Sequence, residues 1–421
     1  MAESAGTNWA GNYAYRASGI VHPASVEEIQ SVVRRAANGG TRVRALGTRH
    51  CFNDIADTTG ELIAMTALPP RFELDENARA VTVSGGTRYG DFAEQLDARG
   101  FALANLASLP HISVAGAIAT ATHGSGDRNQ NLAAAVSGIE FVDGTGELRT
   151  LRRGDDGFEG AVVGIGALGL VTAVTLDVVP SFEVAQTVYT ELDWPTVLEN
   201  FDAITSASYS VSMFTGWVGG VQQVWLKRAV TEDSDESPET FFGAARATEK
   251  RHPLPGVDAT ACTDQFGVPG AWYDRLPHFK LAFTPSNGEE IQSEYLVPRE
   301  RAVEAIQALL PLTERMVPVL QVTELRTIAA DDLWLSTAYE RDALGIHFTW
   351  KRDQAGVEAV LPAIEAALFP LGARPHWGKL FLDVDRVIPS LYPHFDDFKA
   401  LAAQYDPKRV FRNAYLDRLL G

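Results

Sequence analysis

Residues Arg44–Asn53 read RALGTRHCFN, an alternating strand end that runs into a glycine-bearing turn and then a histidine. From Thr41 to Leu46, Val43 and Ala45 alternate with arginines, and Gly47 stops the pattern, which predicts a short strand delivering His50 on a loop. Upstream, Ser25-Val26-Glu27-Glu28 is a capping box. Val26, Ile29, Val32, Val33 and Ala36 follow at helical spacing and Gly39-Gly40 closes the run, so one amphipathic helix precedes the strand. Downstream, Glu61 to Thr66 reads as a second strand. Ala80 to Ser84, Gly85-Gly86, a helix through Phe92 and Leu96, and Gly100 then repeat the pattern. The first hundred residues are therefore expected to mix α and β in small units, without an exact repeat.

Farther out, Leu106 to Gly126 reads LASLPHISVAGAIATATHGSG, nearly all small residues, with two histidines and no carboxylate. Such a stretch lets a bulky group approach the backbone closely. Ile139 to Val142, Asp143-Gly144 and Leu148 to Leu151 predict a hairpin, and Leu170 to Val179 a β-branched strand ending at Pro180. Pro180 suggests a boundary. The expected division is 1–181, 182–375 and a segment, 376–421, that returns to the first unit, with Pro393 to Tyr415 helical and then extended around Asp406-Pro407 and Phe411-Arg412-Asn413. Within the middle, Thr231 to Glu239 is expected to be an acidic surface loop, and Pro253 to Pro255 and Pro269 to Pro277 are proline-rich.

The balance of 36 basic against 54 acidic side chains in 421 residues gives a net charge of −18, which repels phosphate backbones and argues against nucleic-acid binding. No run of about 18 apolar residues stands out, and the first residues lack the order of a secretory signal, so a cytoplasmic protein with no membrane role is expected. Two cysteines, Cys51 and Cys262, are too few for a disulfide framework or a four-cysteine zinc site, and no metal site is expected. Cys51 reads as small loop filler. No lysine occurs before Lys227, which leaves Lys379 in the segment RPHWGK conspicuous. Gly164-Ile165-Gly166-Ala167-Leu168-Gly169 spells GxGxxG, but a strand pattern, LVTAVTLDVV, follows it where a phosphate-binding turn would open a helix. The motif is read as a decoy, and a nicotinamide-dependent polyol dehydrogenase loses its best support.

The segment around His50 resembles the R-x-x-G-x-x-H loop of FAD enzymes of the vanillyl-alcohol-oxidase (PCMH) type, whose histidine bonds to the flavin 8α methyl. Arg49 and Cys51 stand where that family often has glycine and serine. The rest of the chain is similar to the alditol and xylitol oxidases. The resemblance is carried by Thr7–Asn12, Ala107–Gly116, Ala121–Gly126, Gln265–Gly270 and Arg374–Lys379. It implies an α+β fold with an FAD-binding domain, a substrate (cap) domain and a returning C-terminal segment. It also implies FAD held covalently through His50, with no second cysteinyl link, since no cysteine lies in 100–126.

A pyrophosphate needs backbone N–H donors presented by small residues, and the two loops Leu46–Phe52 and Ser113–Ser125 have that composition. The resemblance implies that Leu46, Gly47, Thr48, Arg49, His50, Cys51, Phe52, Ser108, Ser113, Gly116, Thr120, Ala121, Thr122 and His123 line the cofactor. Val171 would add backbone contact, and His376 would reach it from the C-terminal side. In Glu324-Leu325-Arg326 and His347-Phe348-Thr349 the polar residues stand two apart on one strand face. Alone, that pattern fits a solvated face with ion pairs equally well. The resemblance makes it a substrate pocket, with Lys379 and Ser108 beside the flavin and Gln292 a further member.

The implied reaction oxidises a terminal CH2OH of a polyol to an aldehyde. Hydride passes to flavin N5 and O2 is then reduced to H2O2. Lys379 and His347 are the proton-handling candidates and stay unranked here. A flavin dehydrogenase using another acceptor has the same motifs. A monomer that binds a small polyol and O2 is expected.

Overall fold

The computed structural model describes residues 5–231, 237–283, 289–382 and 388–421, so the acidic stretch Thr231 to Glu239 lies partly outside the described residues. The expected helix is Val26–Gly39. The Ser25 side chain accepts from Glu28 N, Glu28 reaches back to Ala24 N at 2.8 Å, and Gly40 ends the helix at φ 65°. The strand Val43–Leu46 lies at the edge of a three-stranded parallel sheet with Glu61–Ala64 and Gly19–Val21. A five-stranded antiparallel sheet follows, in the order Phe72–Asp75, Ala80–Ser84, Gly169–Asp177, Val136–Asp143, Leu148–Arg152. The predicted hairpin is its last pair. The glycines at 164–169 sit between the helix Phe158–Val162 and the strand Gly169–Asp177, so a strand does follow them.

From Glu183 to Pro375 the strands form one large antiparallel sheet of ten. Its centre is Leu320–Ile328 paired with Ala343–Lys351, which pairs in turn with Glu290–Pro298. Strand alternation divides the side chains. Leu325, Ile346 and Phe348 are fully buried in the main apolar core, while Glu324, Arg326, His347 and Thr349 point into a cavity on the other face. Register brings Glu294, His347 and Glu324 abreast on three adjacent strands.

Two segments join this sheet to the N-terminal sheets. Leu380 N donates to Gln292 O at 2.8 Å and Phe52 N to Gly378 O at 2.8 Å, so residues 376–380 bridge the sheet and the His50 loop. The C-terminal stretch runs through the helices Phe395–Tyr405 and Ala414–Leu420, the second of which the sequence reading did not separate. It docks where Val43 N donates to Val410 O at 2.9 Å and Asn413 Nδ2 to the carbonyls of Asp54, Ile55 and Asp57. Gln354–Leu371 is long and apolar enough by composition to cross a membrane. Its helix packs on Ala302–Leu309 and Glu290–Pro298, and Val357, Leu361 and Ile364 are fully buried.

Leu325→Ala should cost about 2 to 5 kcal/mol of stability, because it opens a hole in the close-packed face behind the cavity. Urea unfolding of the variant checks this, and a midpoint equal to that of the parent protein would refute the packing role.

Candidate active site

The cavity has two chemically different ends. At one end the chain comes in as loops of small residues, Leu46–Phe52, Ser113–Thr122 and Gly164–Gly169. A Cβ on Gly47 would lie 2.7 Å from Ser113 Oγ, one on Gly116 2.9 Å from the same atom, and one on Gly85 2.4 Å from Val171 O. At Gly85 the approach is to backbone, which only glycine permits, while at Gly47 and Gly116 it is to the Ser113 hydroxyl. Arg49, Ala121 and Ile165 take positive φ of 62°, 52° and 43° on these three loops, a cost of about 1 to 2 kcal/mol each. Arg49 is held there by Nη1 donating to Ala5 O at 2.7 Å. The left-handed backbone explains why glycine suits this position in related loops.

His50 stacks on Trp9 with centroids 5.4 Å apart, and neither of its ring nitrogens has an aligned hydrogen-bond partner. Burial, with Lys379 and His111 nearby, pulls its pKa down to about 4, so the imidazole is neutral at pH 7. Burial pushes the Cys51 thiol up to about 11, leaving it protonated filler against Gly378. The uncharged imidazole, its ring nitrogens turned from solvent in a cradle of small residues, fits the flavin attachment implied by the sequence.

The opposite end carries charge. Arg326 Nη2 donates to Glu294 Oε1 at 2.9 Å, and Arg326 Nη1 to Ser108 Oγ at 3.2 Å. His347 Nδ1 donates to Glu294 Oε2 at 3.3 Å, and His123 Nε2 lies 3.1 Å from Glu294 Oε1. On the other side His278 Nε2 donates to Glu324 Oε1 at 2.8 Å. Lys379 Nζ donates to Gln292 Oε1, and Gln292 Nε2 to Glu290. Burial alone would raise both carboxylates. His123, Arg326 and His347 outweigh it at Glu294, and Arg326 and His278 do so at Glu324, so both stay ionised. Burial pulls His347 to about 4 and Lys379 to about 8.

All the residues singled out from the sequence line this cavity except Ala121, whose side chain is buried in the core while its turn leaves Thr120 and Thr122 on the wall. Glu294, His278 and Glu290 were not singled out. Glu290-x-Gln292-x-Glu294 has the same alternation as Glu324-x-Arg326, and that was the available signal. Gly345 was a second one: a Cβ there would lie 3.3 Å from Glu294 Oε1 and 3.4 Å from His123 Cε1.

The FAD binding domain family matches residues 17–152 and the D-arabinono-1,4-lactone oxidase family residues 283–419. The fold matches solved cholesterol oxidases, one from B. sterolicum with a TM-score of 0.80 at 16% identity, covering 99% of this chain and 97% of that one. The chain is thus an FAD-dependent oxidoreductase with the vanillyl-alcohol-oxidase fold. It is 46% identical to the alditol oxidase of a Streptomyces species over 98% of each chain, and 33% identical to L-gulono-1,4-lactone dehydrogenase of Mycobacterium tuberculosis over 99% of each. It belongs to the alditol oxidase family.

Removing one partner from the Glu294–Arg326 pair leaves a buried charge uncompensated. Glu294→Leu should lose about 3 to 5 kcal/mol of stability, and Glu294→Gln, which keeps an acceptor for Arg326, distinctly less. Thermal and denaturant unfolding of the two variants compare them, and equal losses would mean that the charge on Glu294 does not hold the site together.

Proposed function

We propose that this protein is an alditol oxidase that converts the terminal primary alcohol of xylitol, sorbitol or glycerol to the aldehyde, with O2 reduced to H2O2. The observation that carries the reading is the row of ionised and neutral polar groups, Glu294, His347, Glu324 and Arg326, facing the small-residue cradle across one cavity. The naming of the Streptomyces relative supports the substrate class. Bound FAD supplies the two-electron acceptor and the route to O2.

The chain's residues handle hydroxyls and one proton. Glu324, Arg326, Thr349, Gln292 and Ser108 bind and orient the polyol through hydrogen bonds. Losing a substrate hydroxyl leaves a buried site group unpaired, at about 1 to 3 kcal/mol each, so longer polyols outrun ethanol. His347 takes the hydroxyl proton. A carboxylate can only accept, so its Nδ1–H is committed to Glu294, and in the neutral ring Nε2 keeps its lone pair for the substrate. Lys379, charged below about 8, is the donor beside it. Leu46–Phe52, Ser113, Gly116, Thr120, Thr122, His123, Val171 and His376 hold the flavin, and His50 carries it covalently.

Residues 1–181 and 376–421 form the FAD-binding part and 182–375 the substrate part, a division supported by the large sheet beginning at Glu183 and ending at Pro375. The protein works in the cytoplasm as a monomer. A peroxide assay with xylitol, sorbitol, glycerol and ethanol tests the reading. The M. tuberculosis relative favours a second one, a dehydrogenase, and polyol-dependent dye reduction without peroxide would put it first.

His50→Ala should still bind FAD but lose the fluorescence that stays with the polypeptide after acid precipitation; unchanged covalent loading sinks the attachment. Glu324→Gln keeps size and removes charge, and kcat/KM for xylitol should fall at least tenfold, about 1.4 kcal/mol of transition-state stabilisation, at unchanged flavin content. Full activity in that variant would remove Glu324 from the site.

A further inference from the structure

Beyond His278, on the same face of the large sheet as Glu324 and Arg326, sits a buried cation that the reaction above does not use. Lys227, on the strand Gly220–Ala229, is 1% exposed. Its Nζ donates to Leu276 O, to Pro277 O at 3.0 Å and to His278 Nδ1 at 3.1 Å. An ammonium has three N–H donors for these three partners, whereas a neutral amine could meet them only by accepting an Nδ1–H, which would turn the Nε2 lone pair onto the Glu324 carboxylate. His278 Nδ1 must then be the acceptor. In a neutral imidazole the proton is forced onto Nε2, which points at Glu324 Oε1, 2.8 Å away. The rings of Trp225 and Phe214 pack edge-on against His278, at 5.1 and 5.6 Å, so the imidazole has little freedom to turn over.

We propose that Lys227 is a positioning residue: its ammonium fixes the Nε2–H tautomer of His278, and His278 thereby holds the Glu324 carboxylate in the orientation that binds substrate.

The substrate arm of this proposal rests on the polyol-oxidase reading, whereas the tautomer arm does not. Without Lys227 the carbonyls of Leu276 and Pro277 compete with Glu324 for the one proton of His278, and when it sits on Nδ1 the Nε2 lone pair faces the carboxylate and no longer holds it. The charged groups around the pair are Glu324 and Arg326, with Cys262 beside Lys227. Burial first, and Lys227 second, hold His278 down to about 4, so it is neutral through the working range. Removing Lys227 removes that repulsion and lets His278 gain a proton in mild acid, which restores an Nε2–H toward Glu324.

The test is nitrogen NMR of protein labelled at histidine, with His278→Gln to assign the signal, together with anaerobic flavin reduction by xylitol across pH. In mildly acidic buffer the parent protein should display the Nε2–H tautomer, and Lys227→Met the Nδ1–H tautomer near neutrality. In that variant kcat/KM should drop tenfold or more near neutrality and recover as pH falls, by more than the parent gains as its Lys227, drawn down to about 7 by burial, takes up a proton. His278→Gln presents an amide N–H toward Glu324, so adding Lys227→Met to it should change kcat/KM by less than twofold. An unchanged tautomer in Lys227→Met overturns the proposal. So does a switched tautomer with unaltered kcat/KM, or a loss of activity that follows melting temperature and flavin content at every pH. If the parent flavin is not reduced by any polyol, the polyol-oxidase reading fails, and the tautomer result alone decides the role of Lys227.

Discussion

A buried guanidinium that meets backbone carbonyls, with no carboxylate partner among the described residues, ties the whole arrangement together. Arg44 donates to Gly166 O at 2.6 Å, Phe411 O at 3.1 Å, Ile165 O at 3.2 Å and Ile55 O. Taking an arginine out of water costs several kcal/mol unless its N–H groups are met, and here backbone carbonyls from three parts of the chain meet those of Nη1 and Nη2. Burial lowers its pKa to about 10, far above neutrality, so the charge persists. The clamp works only if those carbonyls can converge. Gly166, at φ 68°, allows it, since a Cβ there would lie 2.9 Å from Arg44 Nη2. The loop that begins three residues after Arg44 and carries His50 is consequently anchored at its root to the five-stranded sheet side and to the C-terminal stretch.

The same contact explains what the GxGxxG sequence is for. Its local context, a strand following the glycines, was legible and excluded a dinucleotide turn. Its use as a receptor for Arg44 was not, because carbonyls have no side-chain signature and the contact spans more than a hundred residues. Legibility follows this rule elsewhere. The Ser25 cap, the strand before Gly47 and the Ile139–Leu151 hairpin depend on neighbours in sequence and could be read directly. Glu324, Arg326, His347 and Thr349 share a face because alternation is local, but that the face is a cavity wall and not solvent-exposed came from resemblance. Glu294 was missed although Glu290-Ile291-Gln292-Ser293-Glu294 alternates in the same way, since its three partners arrive from other strands and loops. Ala121 was put on the wall by the resemblance, and a single positive φ turned its side chain into the core.

Burying so much charge is costly, and pairing offsets the cost. Arg326 lies between two carboxylates, at 2.9 Å from Glu294 and 3.5 Å from Glu324, and each carboxylate has a neutral histidine as its other donor. A purely structural core would be at least as stable with apolar residues of similar volume in these places. Retaining ions on the cavity face, while Leu325, Ile346 and Phe348 fill the reverse face, points to a face shaped by what enters the cavity.

The rigidity of that face comes from the sheet and its selectivity from single side chains. Glu294, His347 and Glu324 are held abreast by ladder hydrogen bonds on both sides of the strand Ala343–Lys351, so none can shift along its strand without breaking register with the next. The small-residue end is held differently, by close backbone contact at Gly85, where a single methyl would collide with Val171 O, and by the approach of Gly47 and Gly116 to the Ser113 hydroxyl. A flat aromatic group needs close approach and tolerates few side chains, whereas a flexible chain of hydroxyls needs directed donors and acceptors. The two ends of the cavity meet those demands separately, which lets residues on the sheet vary the fit for substrate without loosening the cradle opposite.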